Sequence, residues 1–462
     1  MKDSLLKKLS SRCLNFLSDN IYKILSKIFL GGFMKNKDVF IFGLAIFAMF
    51  FGAGNLIFPP EIGMVSGKEW LKAAIGFFAT GICLPVCGLL AFSQVGDIDN
   101  FAVKVSDKFN TVYFMLLIIA IGPMLGIPRT GATVYEMGIV PNFGNVNSLV
   151  VSSIYFSIVL MLVIKPTKLI NTIGKYLTPI ILGILAIIII KGILFKIGTP
   201  GEKMIEQSAF SYGFLGGYQT MDAISSVLLG IIVIKGLKES GYTDIKVQKS
   251  MIMKSGLIAG LGMALVYGGL LYLGSMVNGN GQTLNRTGLT MYLAVATLGK
   301  FGKIALGVCV TVACLTTSIA LVAITSDFFS NRLKISYKVT AIVVCVLSAI
   351  LAATGVGFIV KIAVPILTLL YPVTIVLISL NIFRVKENLV FKIGAYTTLF
   401  CSIFELINKY EILPAIGGYF ELIPLSSFGF GWVIPALLAI MSTKLAIDIF
   451  PKLGVKTEKK AH

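Results

Sequence analysis

Twelve apolar runs follow one another along the chain, at 38–62, 70–94, 110–133, 148–164, 169–195, 214–235, 255–277, 303–326, 339–355, 358–382, 390–407 and 430–448. A helix needs about 20 predominantly apolar residues to cross a bilayer, and these runs approach or exceed that length with only short polar connections between them. The pattern predicts an all-α polytopic membrane protein of twelve transmembrane helices with little mass outside the membrane. Of the 462 residues, 56% are hydrophobic and 13% charged. That balance excludes a water-soluble enzyme, and it is the reverse of the low hydrophobicity that leaves a chain disordered.

The distribution of charge predicts orientation. Of the 40 lysines and arginines, 29 fall on the side of the N-terminus and 10 on the other, with Arg129 inside the third span. Positive charge collects on the cytoplasmic side of a membrane, so both termini are expected in the cytoplasm. The net charge of +19 sits between apolar runs, where anionic lipid and orientation account for it; nucleic acid is not an expected partner, and no obligate protein partner is inferred. The seven cysteines lack ligand spacing and the sole histidine is His462. No disulfide framework, zinc site, cofactor or histidine-based catalysis is therefore expected. Two readings stand for residues 1–33: an amphipathic helix on the inner leaflet, or a dispensable stretch before a true start at Met34.

Glycines interrupt two of the spans. Span one contains Gly52-Ala53-Gly54-Asn55 followed by Pro59-Pro60, which reads as a break and then a stop, and span six opens on Gly213-Phe214-Leu215-Gly216-Gly217-Tyr218-Gln219-Thr220-Met221-Asp222. Unwound backbone inside a membrane is tolerated where it is buried in protein or lines a cavity. Spans one and six lie an odd number apart and so cross in opposite directions, the pattern of inverted repeats meeting at discontinuous helices. Pro179 in span five and Pro372 in span ten repeat the same offset. The expected organisation is a first repeat over 34–200, an inverted second repeat over 201–383, two added helices over 384–450, and a cytoplasmic tail over 451–462. The alternative is that the glycines only allow close helix packing.

Span eight carries Ala313-Cys314-Leu315-Thr316-Thr317-Ser318. Hydroxyls in a helix can satisfy themselves on backbone carbonyls. They can also hold a hard monovalent cation, with the Thr316 and Thr317 hydroxyls and the Ala313 carbonyl on one side and unwound carbonyls near Ala48 and Phe51 on the other.

The string from Phe51 to Pro60, the Ile127-Pro128-Arg129-Thr130 segment, Gly217 to Asp222 and Leu315-Thr316-Thr317 resemble the bacterial branched-chain amino acid:cation symporters of the BrnQ type. The resemblance runs from Met34 to about Phe450. It implies a multi-pass protein of the bacterial plasma membrane that takes up leucine, isoleucine and valine with sodium. More distantly, the Gly-x-Gly-Asn and Leu-Thr-Thr-Ser-Ile-Ala runs are similar to sodium-coupled transporters of the LeuT fold. That similarity implies sodium against the carbonyls of Ala48, Phe51 and Ala313 and the hydroxyls of Thr316 and Thr317. Such transporters can hold a second sodium with an asparagine from span seven; this span seven has none in its interior, so one sodium is expected and Asn55 is not expected to act as a cation ligand.

Physical argument places the substrate beside the same breaks. Amides freed around Gly52, Ala53, Gly54 and Asn55 suit a carboxylate, carbonyls around Gly216, Gly217 and Tyr218 suit an ammonium, and Leu321 is a candidate for the apolar pocket. Intramembrane charge is a functional hypothesis by default. Arg129 is expected to pair with Glu61 or Asp222, as a gate or as a structural ion pair, and Asp327 with Arg332. The rival to sodium coupling is a proton-coupled carrier of the same fold with Asp222 or Glu61 titrating. A channel would need a continuous polar pore, and a membrane enzyme would need a catalytic constellation that no span carries.

Overall fold

The computed structural model describes residues 36–164, 169–278, 284–411 and 423–450. The N-terminal stretch of residues 1–33 and the tail 451–462 lie outside these residues. Every regular element among the described residues is a helix. Among the described residues, seven helical runs are long and apolar enough to cross a membrane: Ala53–Val95, Asp107–Phe143, Ala209–Glu239, Ile245–Asn278, Lys300–Leu333, Val356–Ile382 and Asn388–Lys409; Ser148–Ile164, Pro179–Leu194 and Tyr337–Ala352 are shorter apolar helices.

The first apolar run is two helices, α1 (Asn36–Phe50) and α2 (Ala53–Ser66), separated at Phe51 and Gly52. The break therefore falls ahead of Gly54 and Asn55, which are already helical. Pro59 and Pro60 do not stop α2, contrary to the reading from sequence. A proline has no N–H to give the carbonyl four residues back, and for Pro60 that carbonyl is Leu56. Thr290 supplies the missing donor, its Oγ1 lying 3.0 Å from the Leu56 oxygen.

After α2 the chain turns at Gly67 (φ +51°), where a Cβ would stand 2.2 Å from the Gly201 oxygen. It continues as α3 (Trp70–Phe78) and α4 (Leu84–Val95), joined by one widened π turn over Ala79–Cys83. The following helices are α5 (Ile98–Phe101), α6 (Asp107–Ile119), α7 (Gly126–Thr133), α8 (Val140–Phe143), α9 (Ser148–Ile164) and α10 (Leu169–Leu194). The third apolar run is also broken, at Gly122 (ψ −118°) beside Pro123, an interruption that the apolar pattern conceals. The sixth run is α11 (Ala209–Tyr218) and α12 (Asp222–Glu239), separated at Met221 in the left-handed conformation (φ 63°). Then come α13 (Ile245–Asn278), α14 (Arg286–Leu298), α15 (Lys300–Leu333), α16 (Tyr337–Ala352), α17 (Val356–Ile382), α18 (Asn388–Lys409) and α19 (Val433–Ile449). Helix α14 belongs to none of the twelve apolar runs.

Small residues set the packing. Segment α1–α2 runs beside α13 in the same direction: Ser255 donates to the Val39 carbonyl (2.9 Å), and Pro60 lies against Gly274. Segment α3–α4 runs beside α11–α12 in the same way, through Ala73 against Gly213, Thr80 against Gly217, Ser226 against Gly88 and Phe92 against Gly230. Tyr242, just past α12, donates to Asp38 at the start of α1. At the other end the Val65 carbonyl accepts from Met204, 2.8 Å, just ahead of α11. The two interrupted segments α1–α2 and α11–α12 therefore run in opposite directions, and their breaks come level near the middle of the fold.

Candidate functional site

Asn55 joins the two breaks. Its Oδ1 accepts from the Gly52 amide (3.0 Å), capping α2, while its Nδ2 donates to Asp222 Oδ2 (2.6 Å) at the start of α12 and to the Tyr267 hydroxyl (2.5 Å) of α13. The side chain is 1% exposed. Both amide protons and the carbonyl are engaged, so Asn55 acts as a cross-brace. Tyr267, which the apolar reading of span seven passes over, is wholly buried and stacks in line with Phe51. A tyrosine hydroxyl in the middle of an apolar helix needs a buried partner, and that need is the signal by which it could have been found.

Arg129, in the first turns of α7, reaches the second break. Its Nη1 donates to the Gln219 carbonyl and its Nη2 to the Thr220 carbonyl (3.3 Å). Gly54 makes room for it: a Cβ there would lie 2.7 Å from Arg129 Nη2. Arg129 does not form an ion pair with Glu61, because Glu61 is held by Arg286 of α14 at 2.6 Å. Arg332 likewise pairs with Asp99 (3.1 Å) instead of Asp327. Glu136 accepts from Thr287 and from the Val356 amide, both at 2.8 Å, and so ties α14 to α17.

A cavity of about 30 Å³ lies between the breaks. Its wall includes Gly52, Ala53, Gly54 and Asn55 from the first break, Thr220, Met221 and Asp222 from the second, Arg129 and Thr130 from α7, and Thr317 and Leu321 from α15. Gly216 and Tyr218 stand elsewhere, on a second cavity of about 340 Å³ with Glu61, Arg286 and Glu405, and Gly217 packs on Thr80. The carbonyls of Gly216, Gly217 and Tyr218 each accept from the turn that follows, from the amides of Gln219, Thr220 and Met221 at 3.0, 3.2 and 3.0 Å. The carbonyls that the break presents are those of Gln219 and Thr220, and Arg129 takes both.

On α15, Thr316 and Thr317 both donate to the Ala313 carbonyl, at 2.9 and 3.0 Å. Their protons are thereby committed and their oxygen lone pairs left to accept, which is the state in which hydroxyls can ligate a hard cation. Thr317 comes against the first break, 3.0 Å from where a Cβ on Gly52 would stand. Ala48 lies in the last turn of α1 and Phe51 in the break itself. Ser318, the third hydroxyl of the run, turns away from it: its Oγ bonds Thr130 (2.5 Å) and Tyr155 (2.9 Å) in a buried cluster. Among the described residues no group of histidine, cysteine and carboxylate side chains could hold a metal ion.

Residues 35–449 match the model of a protein family described as branched-chain amino acid transport protein. The chain is similar to the branched-chain amino acid permease BraB of Bacillus subtilis, at 35% identity over 430 residues, covering 90% of this chain and 97% of the relative. It is similar to the branched-chain amino acid transport system 2 carrier protein of Pseudomonas aeruginosa, at 34% identity over 417 residues, covering 88% of this chain and 95% of the relative. Among solved structures it resembles Mhp1, a nucleobase-cation-symport-1 family transporter, in a closed conformation with bromovinylhydantoin bound (TM-score 0.57, 13% identity, 89% of this chain and 93% of that one). It also resembles MhsT in complex with L-phenylalanine (TM-score 0.51, 16% identity, 87% and 98%). These two structural likenesses speak for the fold alone.

Proposed function

The chain belongs to the family of branched-chain amino acid transport proteins, and from that premise we propose that it carries leucine, isoleucine and valine into the cell together with Na⁺ by alternating access. Its relatives are permeases and carriers; it is a membrane transporter of LeuT-like fold and not an enzyme. In the finer reading, twelve helices cross a bacterial plasma membrane in a five-plus-five inverted repeat with two added helices, both termini cytoplasmic. The opposed directions of α1–α2 and α11–α12, and the positive charge on the N-terminal side, support that arrangement.

The observation that carries sodium coupling is the placement of Thr317 against Gly52, with both threonine protons held by Ala313. In this reading Na⁺ bridges α15 and the end of α1, using the hydroxyls of Thr316 and Thr317 and the carbonyls of Ala313, Ala48 and Phe51. Binding the ion pulls the α1–α2 segment onto α15 and favours closure over the substrate. Each sodium entering down a membrane potential contributes roughly 2.3 kcal/mol per 100 mV to uphill transport. The substrate binds between the breaks, its side chain toward Leu321, and the breaks part to admit it, because the cavity of about 30 Å³ is smaller than an amino acid. One methylene is worth only about 1–3 kcal/mol, so selectivity among the three amino acids is broad.

The test is uptake of labelled isoleucine into proteoliposomes under an imposed sodium gradient, compared with choline at fixed pH. Sodium-dependent accumulation that is lost in Thr316→Ala and Thr317→Ala supports the reading. Equal accumulation in choline overturns sodium coupling and moves it to a proton on Asp222, which is buried in the same cavity wall.

A further inference from the structure

A buried guanidinium in a membrane protein is expensive, and Arg129 is only partly satisfied. Its Nη atoms have the Gln219 and Thr220 carbonyls, but Nε is buried without any hydrogen-bond partner, in a side chain only 4% exposed. An unsatisfied polar atom at such a place calls for an explanation, and an absent ligand is one. The residue lines the cavity between the breaks, and its guanidinium presses on Gly54 in the first turn of α2. Helix α2 is 14 residues long, and of its leading amides that of Gly52 is already taken by Asn55. The Ala53 and Gly54 amides and the positive end of the helix dipole thus converge with an arginine on one small space.

We propose that Arg129 recognises the substrate carboxylate, as the fixed cation of a site built for a zwitterion. The inference rests on the amino acid transport reading above and adds to it the group that selects for a carboxylate. The carboxylate takes the free Nε and, by shifting Nη2 off the Thr220 carbonyl, binds in the two-point manner that suits a planar guanidinium, with the leading amides of α2 beside it. The released Thr220 carbonyl and the Asp222 side chain, which lines the same cavity, then face the ammonium. A zwitterion therefore exchanges one set of charge partners for another without adding net charge to the membrane interior. A bare amine or a carboxylic acid leaves Arg129 or Asp222 without its compensating partner. The tethered cation also does the work that a second mobile cation beside the carboxylate would do.

The test is displacement of labelled isoleucine from purified protein, in sodium, by isoleucine and by isoleucinamide, which keeps the ammonium and lacks the carboxylate. Wild type is expected to prefer isoleucine about 100-fold, the scale of a charge-assisted two-point contact. That preference is expected to shrink to about tenfold in Arg129→Lys, which keeps charge but not the fork, and to about threefold in Arg129→Gln. Isoleucinamide displacing as well as isoleucine from wild type overturns the proposal without any variant. An unchanged preference in whichever variant elutes as a single species also overturns it. Wild type that binds no isoleucine under any condition overturns the transport reading itself, an outcome distinct from either of these.

Discussion

Asn55 Nδ2 lies 2.6 Å from Asp222 Oδ2, so one amide spans the two helix breaks and holds the start of α2 against the start of α12. The same side chain caps Gly52 and reaches Tyr267. Three elements, α2, α12 and α13, are thereby pinned at a single residue. Asn55→Ala leaves the Gly52 amide, the Tyr267 hydroxyl and Asp222 short of a partner in a buried site. Each such loss costs about 1–3 kcal/mol, so the variant is expected to melt several degrees below wild type in detergent and to transport poorly. Tyr267→Phe removes one contact only and is expected to lie between them. A melting temperature for Asn55→Ala equal to that of wild type rules out the brace.

The glycines divide into those that serve the fold and those that serve the site. At Gly63 a Cβ would stand 1.8 Å from the Leu271 carbonyl oxygen, and at Gly274 it would stand 2.0 Å from that of Pro60. Backbone against backbone cannot yield, so Gly63→Ala and Gly274→Ala are expected to prevent α2 and α13 from docking and to leave little protein in the membrane. At Gly54 the nearest atom is the end of the Arg129 side chain, which can shift. Gly54→Ala is therefore expected to insert and fold while losing at least about tenfold in uptake, the effect of a misplacement of order 1 Å at a binding site. Membrane abundance and uptake measured together separate the two classes.

The parts that were legible in sequence are those encoded locally. Apolar length marked the helices, and Gly52 and Met221 fall where glycine-rich strings announced interruptions. Contacts between distant segments left no local mark. That Glu61 would be held by Arg286 rather than Arg129 depends on α14, a helix whose Arg-Thr-Gly-Leu-Thr opening is too polar to register as apolar. The break at Gly122 was hidden by the hydrophobicity on both sides of it. Pro59-Pro60 misled because a proline's effect on a helix depends on whether another segment supplies the hydrogen bond it removes.

That compensation is testable as a cycle. Thr290 donates to the Leu56 carbonyl that Pro60 leaves without its helical partner, and it has the Arg286 carbonyl at 3.3 Å as a second choice. Thr290→Val is expected to cost about 1–2 kcal/mol, since it orphans a buried acceptor. In a Pro60→Ala background the alanine N–H can reclaim the Leu56 carbonyl, so the same substitution is expected to cost less by about 1 kcal/mol. Equal costs in the two backgrounds, read from denaturation in detergent, would sink the idea that the hydroxyl replaces the missing amide.

Glu387, at the turn between α17 and α18, fastens α19 through Lys444. Burial works to raise its pKa, but the hydrogen bond and charge of Lys444, together with hydrogen bonds from the Glu387 and Lys386 amides, outweigh burial and hold the carboxyl below its ordinary value. A carboxylate depressed in the folded state contributes stability that is present above its unfolded pKa, about 4.3, and is lost as pH falls through the folded value. Both side chains are partly exposed, so solvent screening keeps the contribution to less than about 1 kcal/mol. Lys444→Met is expected to lower the melting temperature slightly at pH 7 and to converge with wild type as the pH falls below 4. A gap between the two proteins that persists unchanged at pH 3 assigns the loss to packing of the lysine stem instead of to the ion pair.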